Sequence, residues 1–287
     1  MDSSQNSVRF AGDVSIDKVK ITTRSGLTQD VAAQVIAIQI FEDIFSPFIS
    51  GSLILRESLD LLNIFPFAGE EQLELEISTP SLQNGNIKST FYIYKMTDRE
   101  LLGEKSVVYQ LHFISPEAIV DINKKVSRVF GDKPEVIVDY LVRDSINGLQ
   151  SKKTLKAEES NRHIKFISNF WSPVKSIQYA TTTSVNKNNS PSYLFFENRD
   201  GFNFVSLEAL YAGKVFQEFV YDKYTRDSRK DGSDVKNVGE DYKRINTVSV
   251  PVVVDYMDRI RNGMLSSKII SYDMTKKQYN VKPYALF

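Results

Sequence analysis

The sequence predicts a mainly β fold with inserted helices, and three observations support this prediction. Apolar and acidic residues alternate at 73–77, which reads Leu-Glu-Leu-Glu-Ile, as expected for a half-buried antiparallel strand. Asn84-Gly85 and Asp200-Gly201 supply the backbone conformations that tight hairpin turns need. The chain also has 18 Phe and 14 Tyr against 1 Trp, and the first two residue types suit pleated surfaces.

Residues 10–115 are predicted to form an antiparallel barrel or sandwich, preceded by a flexible arm at residues 1–9. The alternation of the first strand slips at Asp17-Lys18, which indicates a β-bulge. Short turns join the strands and one short helix is inserted, an arrangement typical of these architectures. The strands are predicted at 13–22, 31–41, 52–56, 73–77, 87–97 and 106–114, and the helix at 57–65.

Residues 116–190 are predicted to form a small helical region. Ser115-Pro116 and Ser172-Pro173 each place a capping hydroxyl directly before a proline, which is a common start of a helix. The first helix is predicted at 117–129, with Ile119, Ile122 and Val126 on one face. The second is predicted at 134–145, with Ile137, Tyr140 and Leu141 facing inward and Asn147-Gly148 as its end. A third helix is predicted at 173–183, a loop at 152–161 and a short strand at 163–167.

Residues 191–287 are predicted to return to β structure. Residues 193–197 and 202–206 flank Asp200-Gly201 as a hairpin, and residues 267–272 and 278–284 form a last hairpin. The sequence between them predicts strands at 215–221 and 245–250, a solvated charged loop at 223–244 and a helix at 251–261. Because the chain ends in an apolar, strand-like segment, we expect an incomplete second barrel or strands that are supplied elsewhere.

The composition argues against several classes of protein. The 36 basic and 36 acidic residues give a formal net charge of zero, whereas a general nucleic-acid or membrane-surface binder normally has a basic excess. The chain has no Cys, so disulfides and thiolate metal sites are excluded, in keeping with folding in a reducing cytosol. No signal peptide is predicted, and no apolar run approaches the roughly 20 residues that a membrane helix needs.

The sequence gives little support for a metal site or a catalytic histidine. His112 lies in an alternating strand, where a packed or surface role is expected, and His163 is the only other histidine. No paired-histidine motif occurs. Five acidic residues in the charged loop could form a calcium site, and these are Asp227, Asp231, Asp234, Glu240 and Asp241. However, lysines and an arginine lie among them, and their spacing is not that of an EF-hand.

Two further patterns have both a functional and a structural interpretation. Glu70, Glu71, Glu74 and Glu76 could be the acid pair of a glycosidase, but surface carboxylates are the ordinary outcome on an alternating strand. The Phe-rich hairpin could stack nucleic-acid bases, but its strands carry no interleaved basic residues, so core packing is favoured; its members are Phe195, Phe196, Phe202 and Phe204. No phosphate-binding glycine loop occurs. The sequence therefore predicts no enzyme, no cofactor and no metal.

The turn and packing pattern resembles one family over nearly the whole chain. The segment IFEDIFSPFISGSLILRES, followed by FPFAGEEQLELEISTP, is similar to the first barrel of baseplate central hub proteins of contractile-tailed bacteriophages. The same half-unit occurs in tail-tube subunits and in type VI secretion spike proteins. WSPVKSIQYATTT with YLFFENRDGFNFVSL, and GMLSSKIISYDMTKKQYNVKPY, resemble the intermediate domain and the second barrel.

The resemblance implies two tail-tube-like antiparallel barrels around a small helical intermediate domain. It implies a homotrimer whose barrels form a pseudo-sixfold ring between the tail tube and the central spike. The implied partners are the spike, tail-tube or tube-initiator proteins and the tape-measure protein, while phage DNA passes through the lumen without specific binding. The implied location is the virion baseplate, assembled in the host cytoplasm without membrane insertion.

The loop at Phe45, Pro47 and Phe48 is the candidate contact between subunits, because it places two aromatic residues beside a rigid proline. A core role for Phe48 is the alternative. For the whole chain, the alternative to a hub subunit is an all-β module of a tail fibre or type VI secretion spike that binds carbohydrate or protein. A hydrolase that uses the paired carboxylates is a third hypothesis.

Overall fold

The computed structural model describes residues 14–58, 68–78, 86–102, 106–215, 217–221, 243–245, 247–250 and 254–285. The chain divides into two compact units, residues 1–216 and 217–287. Strands make up most of the regular structure, which confirms the prediction of a mainly β fold with inserted helices. The predicted arm at 1–9, the Asn84-Gly85 turn and most of the charged loop at 223–244 lie outside the described residues.

One large antiparallel sheet contains the first seven strands. They are β1 (Ser15–Thr22), β2 (Thr28–Asp30), β3 (Val35–Phe41), β4 (Ser50–Glu57), β5 (Gln72–Ser78), β6 (Ile87–Leu102) and β7 (Ser106–Ile114). Their order across the sheet is β2-β1-β5-β6-β7-β4-β3. The predicted strand at 31–41 begins only at Val35. In the predicted helix at 57–65, Glu57 belongs to β4 and Ser58 forms a bend, and residues 59–65 lie outside the described residues.

The two edge strands of this sheet are joined by only four residues, 31–34. Since a chain advances at most about 3.6 Å per residue, the end of β2 and the start of β3 lie within about 18 Å of each other. The 3-10 turn Ala32–Gln34 in this connection packs against both β1 and β4. The sheet therefore curls, and the connection spans its two edges.

The inner face of the curled sheet holds the first hydrophobic core. Leu53, Leu73 and Leu75 are completely buried, as the period-2 alternation predicts. The predicted bulge is confirmed, because the register between β1 and β5 shifts between Ile16 and Lys18. The shift keeps the apolar residues on both sides of it directed into the core.

A second core lies in the following α/β region. Its elements are α1 (Pro116–Asn123), β8 (Val126–Asp132), α2 (Pro134–Arg143), β9 (Leu155–Ala157), β10 (Ile164–Trp171), α3 (Pro173–Thr183), β11 (Tyr193–Asn198), β12 (Gly201–Ser206) and α4 (Leu207–Tyr211). β8 pairs with β10, and β11, β12 and β9 form a separate sheet. The hairpin of β11 and β12 contributes Phe195, Phe202 and Phe204 to this core.

The predicted helix at 117–129 is wrong beyond Asn123. The chain leaves the helix and forms β8, which pairs antiparallel with β10. Val126 is completely buried by this strand, whereas Ile122, which was predicted to share its face, is 69% exposed. The β-branched residues of β8 suit a strand, and the long-range pairing with β10 decides between the two structures.

Other local predictions in this region are confirmed in part. The first helix begins at Pro116 as predicted, but the predicted cap is wrong, because the Ser115 hydroxyl donates to the Ile49 carbonyl oxygen instead of accepting from the helix. The side chain of Ser172 accepts a hydrogen bond from the Lys175 N–H at 3.3 Å, and α3 covers the predicted residues. The loop predicted at 152–161 contains β9, a short strand that pairs in parallel with β12. The predicted second helix ends two residues early, at Arg143.

The C-terminal unit contains short elements and one long hairpin. They are β13 (Val220–Tyr221), β14 (Arg244–Ile245), α5 (Tyr256–Arg261), β15 (Ser266–Asp273) and β16 (Gln278–Ala285). The predicted final hairpin is confirmed as β15 and β16, which pair antiparallel along eight residues each. The strands predicted at 215–221 and 245–250 shrink to β13 and β14. The incomplete second barrel expected at residues 191–287 stays a prediction.

Candidate assembly surfaces

The three residues predicted to contact another subunit lie in the loop between β3 and β4 and differ in their exposure. Phe45 is 75% exposed, Pro47 is half-buried and Phe48 is only 8% exposed. The ring of Phe48 lies edge-on to that of Phe202, with centroids 6.4 Å apart. Phe48 therefore has the core role that the sequence left as its alternative. Contact of Phe45 or Pro47 with another subunit stays a prediction.

The backbone of this loop is held in place by two carboxylates. Asp43 accepts a hydrogen bond from the Phe45 N–H at 2.9 Å, a local turn that Asp side chains commonly make. Glu42 accepts one from the Arg199 N–H at 3.1 Å. The exposed ring of Phe45 is thus presented by an ordered loop. Ile44 and Phe41, which are close to Phe45 in sequence, are also 37% and 53% exposed.

A buried ionic cluster joins the curled sheet to the α/β region. Lys153 Nζ lies 2.7 Å from Glu117 Oε2 and 2.5 Å from Glu197 Oε1. Glu197 also accepts the Ile49 N–H at 3.0 Å, and Ser151 donates to Glu117 at 2.6 Å. The two carboxylates are therefore fully engaged although both are buried. Sequence reasoning missed this cluster, because its members lie far apart along the chain.

The carboxylates considered as hydrolytic acids are occupied in structural contacts. Glu70 pairs with Arg24, Glu74 with Lys18 and Glu76 with Lys88. Glu71 is buried and accepts hydrogen bonds from two backbone N–H groups of its own turn, at 68 and 69. The Lys18 ammonium lowers the pKa of the Glu74 carboxyl.

The candidate histidine and aromatic sites likewise have structural surroundings. His112 Nε2 lies 2.8 Å from the Thr97 hydroxyl across the β6–β7 pair, and His163 is exposed. All four Phe residues of the hairpin are buried, at 0–7% exposure, so core packing is confirmed for them. Over the described ranges, no three His, Asp or Glu side chains gather closely enough to hold a metal ion. The acidic residues proposed for calcium lie outside these ranges.

The C-terminal hairpin carries an uncovered apolar face. Ile270 lies opposite Val281, and Tyr272 opposite Tyr279. Because side chains alternate across a strand, these four share one face, where they are 59%, 43%, 61% and 73% exposed. The other face carries mainly polar residues such as Ser271. The alternation was visible in the sequence, but its lack of cover could be seen only in the structure.

No helix in the described part of the chain is both long and apolar enough to cross a membrane. No family model matches the chain, and no curated protein matches its sequence.

The solved structures similar to this chain include the following three proteins. The 43 kDa tail protein of prophage MuSo2 from Shewanella oneidensis is 8% identical, with a TM-score of 0.43 over 66% of this chain and 54% of that one. A tail protein from Neisseria meningitidis MC58 is 14% identical, with a TM-score of 0.42 over 65% and 49%. A type VI secretion component from E. coli is 9% identical, with a TM-score of 0.35 over 67% and 48%.

The present chain spans about half the length of each of these three proteins.

Proposed function

We propose that this chain is a structural subunit of a phage baseplate central hub. In this proposal three copies form a pseudo-sixfold ring between the tail tube and the central spike. The observation that carries the proposal is the uncovered apolar face of the β15–β16 hairpin, defined by Ile270, Tyr272, Tyr279 and Val281.

A two-stranded hairpin alone is at best marginally stable in water. Side chains that alternate as in a half-buried sheet, yet are exposed in the single chain, need cover from another surface. A second copy of the chain supplies that cover in a ring, and a head-to-tail contact closes such a ring when its rotation allows. The exposed Phe45 loop is a further surface for the same contact.

The partners follow from the resemblance of the sequence. They are the central spike, tail-tube or tube-initiator proteins and the tape-measure protein, with phage DNA crossing the lumen without specific binding. The place of action is the virion baseplate, after assembly in the host cytoplasm. The role is structural rather than enzymatic, which is supported by the engagement of the candidate acids in ion pairs and turns.

Light scattering on the purified full chain tests the ring. We expect a trimer for the wild type and a monomer for Ile270→Asp, because a buried, unpaired carboxylate would oppose association. Ser271→Asp places the same charge on the opposite face of the same strand and is expected to stay trimeric. Electron microscopy of the wild type should show a ring with sixfold appearance.

A wild-type chain that is monomeric at all accessible concentrations would overturn the hub proposal. If such a monomer bound glycans, the chain would instead be a binding module of a tail fibre or secretion spike. Hydrolysis of cell-wall material by the pure chain would overturn the structural role.

A further inference from the structure

The first residues of β6 have an open edge. β5 pairs with β6 from Ile87 to Tyr92, whereas β7 ends at Ile114, opposite Tyr92. The chain then turns away into α1, which begins at Pro116. Residues 87–91 of β6 are therefore paired on the side of β5, but no strand of the described chain pairs with them where β7 would continue.

Two residues direct their backbone groups to this open edge. The Ile93 N–H donates to the Glu71 carbonyl oxygen, on the side of β5, at 2.8 Å. Since the N–H and C=O groups of a strand point alternately to its two sides, those of Thr90 and Lys88 point away from β5. A strand edge of this kind is a template with which another extended segment can pair.

The open edge lines a groove of about 360 Å³. The groove is also lined by the turn between β11 and β12, residues 198–201, and by Lys153 and Thr154. Ile49 and Phe91 add apolar lining and are 5% and 3% exposed. The groove therefore combines unpaired backbone groups with apolar side chains, which are the two features that a bound strand uses.

The N-terminal part of the chain enters the sheet at this same end. Residues 1–13 lie outside the described residues. β1 begins at Ser15, which pairs with Ser78, one residue beyond the Ile77 that pairs with the first residue of β6. The groove lies three strand spacings from β1, or about 14 Å, and the chain from Phe10 to Ser15 spans up to about 18 Å. Residues that precede Ser15 therefore reach the groove.

We propose that residues 7–11 of the same chain bind in this groove as an added strand beside β6. Their backbone pairs with the open groups of Thr90 and Lys88, in the row that β7 leaves at Ile114. The added strand connects the curled sheet with the turn between β11 and β12. This contact lies within one chain and is independent of the proposed hub ring.

The sequence of this segment suits the groove. Val8 and Phe10 alternate with Arg9, so the two apolar side chains share one face of a strand and Arg9 lies on the other. The apolar face contacts Ile49 and Phe91. Attachment to β1 keeps the segment at a high effective concentration beside the groove, which favours it over a segment of another molecule.

The absence of Cys from the sequence makes pairs of introduced cysteines a direct test. Facing residues on neighbouring strands come close enough for a disulfide. Arg9→Cys is combined with Thr90→Cys or with Lys88→Cys, which covers two registers, and the full chain is mildly oxidised. We expect one of these pairs to form a disulfide within a single chain, detected by mass spectrometry and on a non-reducing gel. Phe10→Cys with Thr90→Cys is the matched control and should stay reduced, because the two side chains lie on opposite faces.

Hydrogen exchange of the chain without introduced cysteines measures the pairing itself. We expect the Thr90 amide to exchange about tenfold more slowly, or slower still, in the wild type than in Val8→Asp, because the added strand protects it. The Ser89 amide, which points to β5, should exchange equally in both. Arg9→Asp changes the charge on the other face of the segment and should protect Thr90 as the wild type does.

No disulfide in either register, together with equally rapid exchange of Thr90 in the wild type and Val8→Asp, would overturn the proposal. Equal disulfide formation by Arg9→Cys and Phe10→Cys would also overturn it, since a paired strand presents only one of them to Thr90. A disulfide-linked dimer on the gel would assign the groove to the segment of a second copy. None of these outcomes depends on Ile270, so they are distinguishable from failure of the hub proposal.

Discussion

The Glu197 carboxylate accepts a hydrogen bond from the backbone N–H of Ile49, at 3.0 Å, across a separation of 148 residues. Glu197 lies in β11, and Ile49 directly precedes β4 of the curled sheet. Lys153 neutralises the same carboxylate. This contact is a direct polar link between the two cores of the N-terminal unit. Phe48, whose side chain packs in the second core, provides an apolar link.

Removing the cation of this cluster should strongly destabilise the N-terminal unit. Lys153→Met leaves Glu117 and Glu197 buried without their partner, and loss of one member of a buried pair costs about 3 kcal/mol or more in the free energy of unfolding. Lys153 itself is 35% exposed, which keeps the expected loss near 3 kcal/mol. Urea denaturation followed by Trp171 fluorescence measures it. The control is Lys156→Met, for which a loss of similar size would show that the cluster is not the cause.

Removing the charge of Asp121 should stabilise the protein, whereas removing the charge of Lys153 should destabilise it. It accepts the Val174 N–H at 2.7 Å, at the start of α3, but burial raises its pKa above the usual value. A raised pKa of an acid in the folded state means that the charged form costs stability at neutral pH, and that this cost disappears as the pH falls below the pKa of the unfolded chain. Asp121→Asn keeps an acceptor and removes the charge.

We therefore expect Asp121→Asn to unfold at a higher temperature than the wild type at pH 7. The difference should shrink towards pH 4, near the unfolded pKa of an Asp. Thermal melts of both proteins between these pH values measure it. A difference that is independent of pH, or a less stable variant at pH 7, would contradict this account.

Gly51 should tolerate no side chain. A Cβ at this position would meet the ring of Phe113 and the carbonyl oxygen of Gln39, both inside the packed sheet. Gly51→Ala should therefore lower the free energy of unfolding by about 1–3 kcal/mol, as overpacked cores do. Gly131→Ala is the matched control in β8, because its Cβ would meet only Lys165 Cγ, at 3.8 Å. Equal losses in the two variants would argue against overpacking.

Substitutions of the two phenylalanines in the β3–β4 loop should distinguish a loss of stability from a loss of assembly. Phe48→Ala removes a buried ring and should lower the free energy of unfolding by about 3 kcal/mol. Phe45→Ala removes a ring that is 75% exposed and should change stability by less than about 0.5 kcal/mol. If the loop contacts another subunit, Phe45→Ala should also lower the fraction of trimer in light scattering. A Phe45→Ala chain that assembles normally but unfolds easily would show that Phe45 has a core role.

Local patterns by themselves determined most of the strands, two helix starts and both confirmed hairpins. The reason is that alternation, caps and turn dipeptides act between residues close in sequence. Leu73 and Leu75 are buried as their spacing requires, and Ser172 caps α3 as its position before Pro173 predicts.

Only the tertiary structure decided the features that depend on distant partners. Residues 126–132 form a strand because β10 pairs with them. Phe48 is buried and Phe45 exposed because the second core lies against one side of their loop. Lys153 meets two carboxylates that lie 36 and 44 residues away in sequence. Pairings of this kind are set by how the two cores pack together, a property that no short stretch of sequence contains.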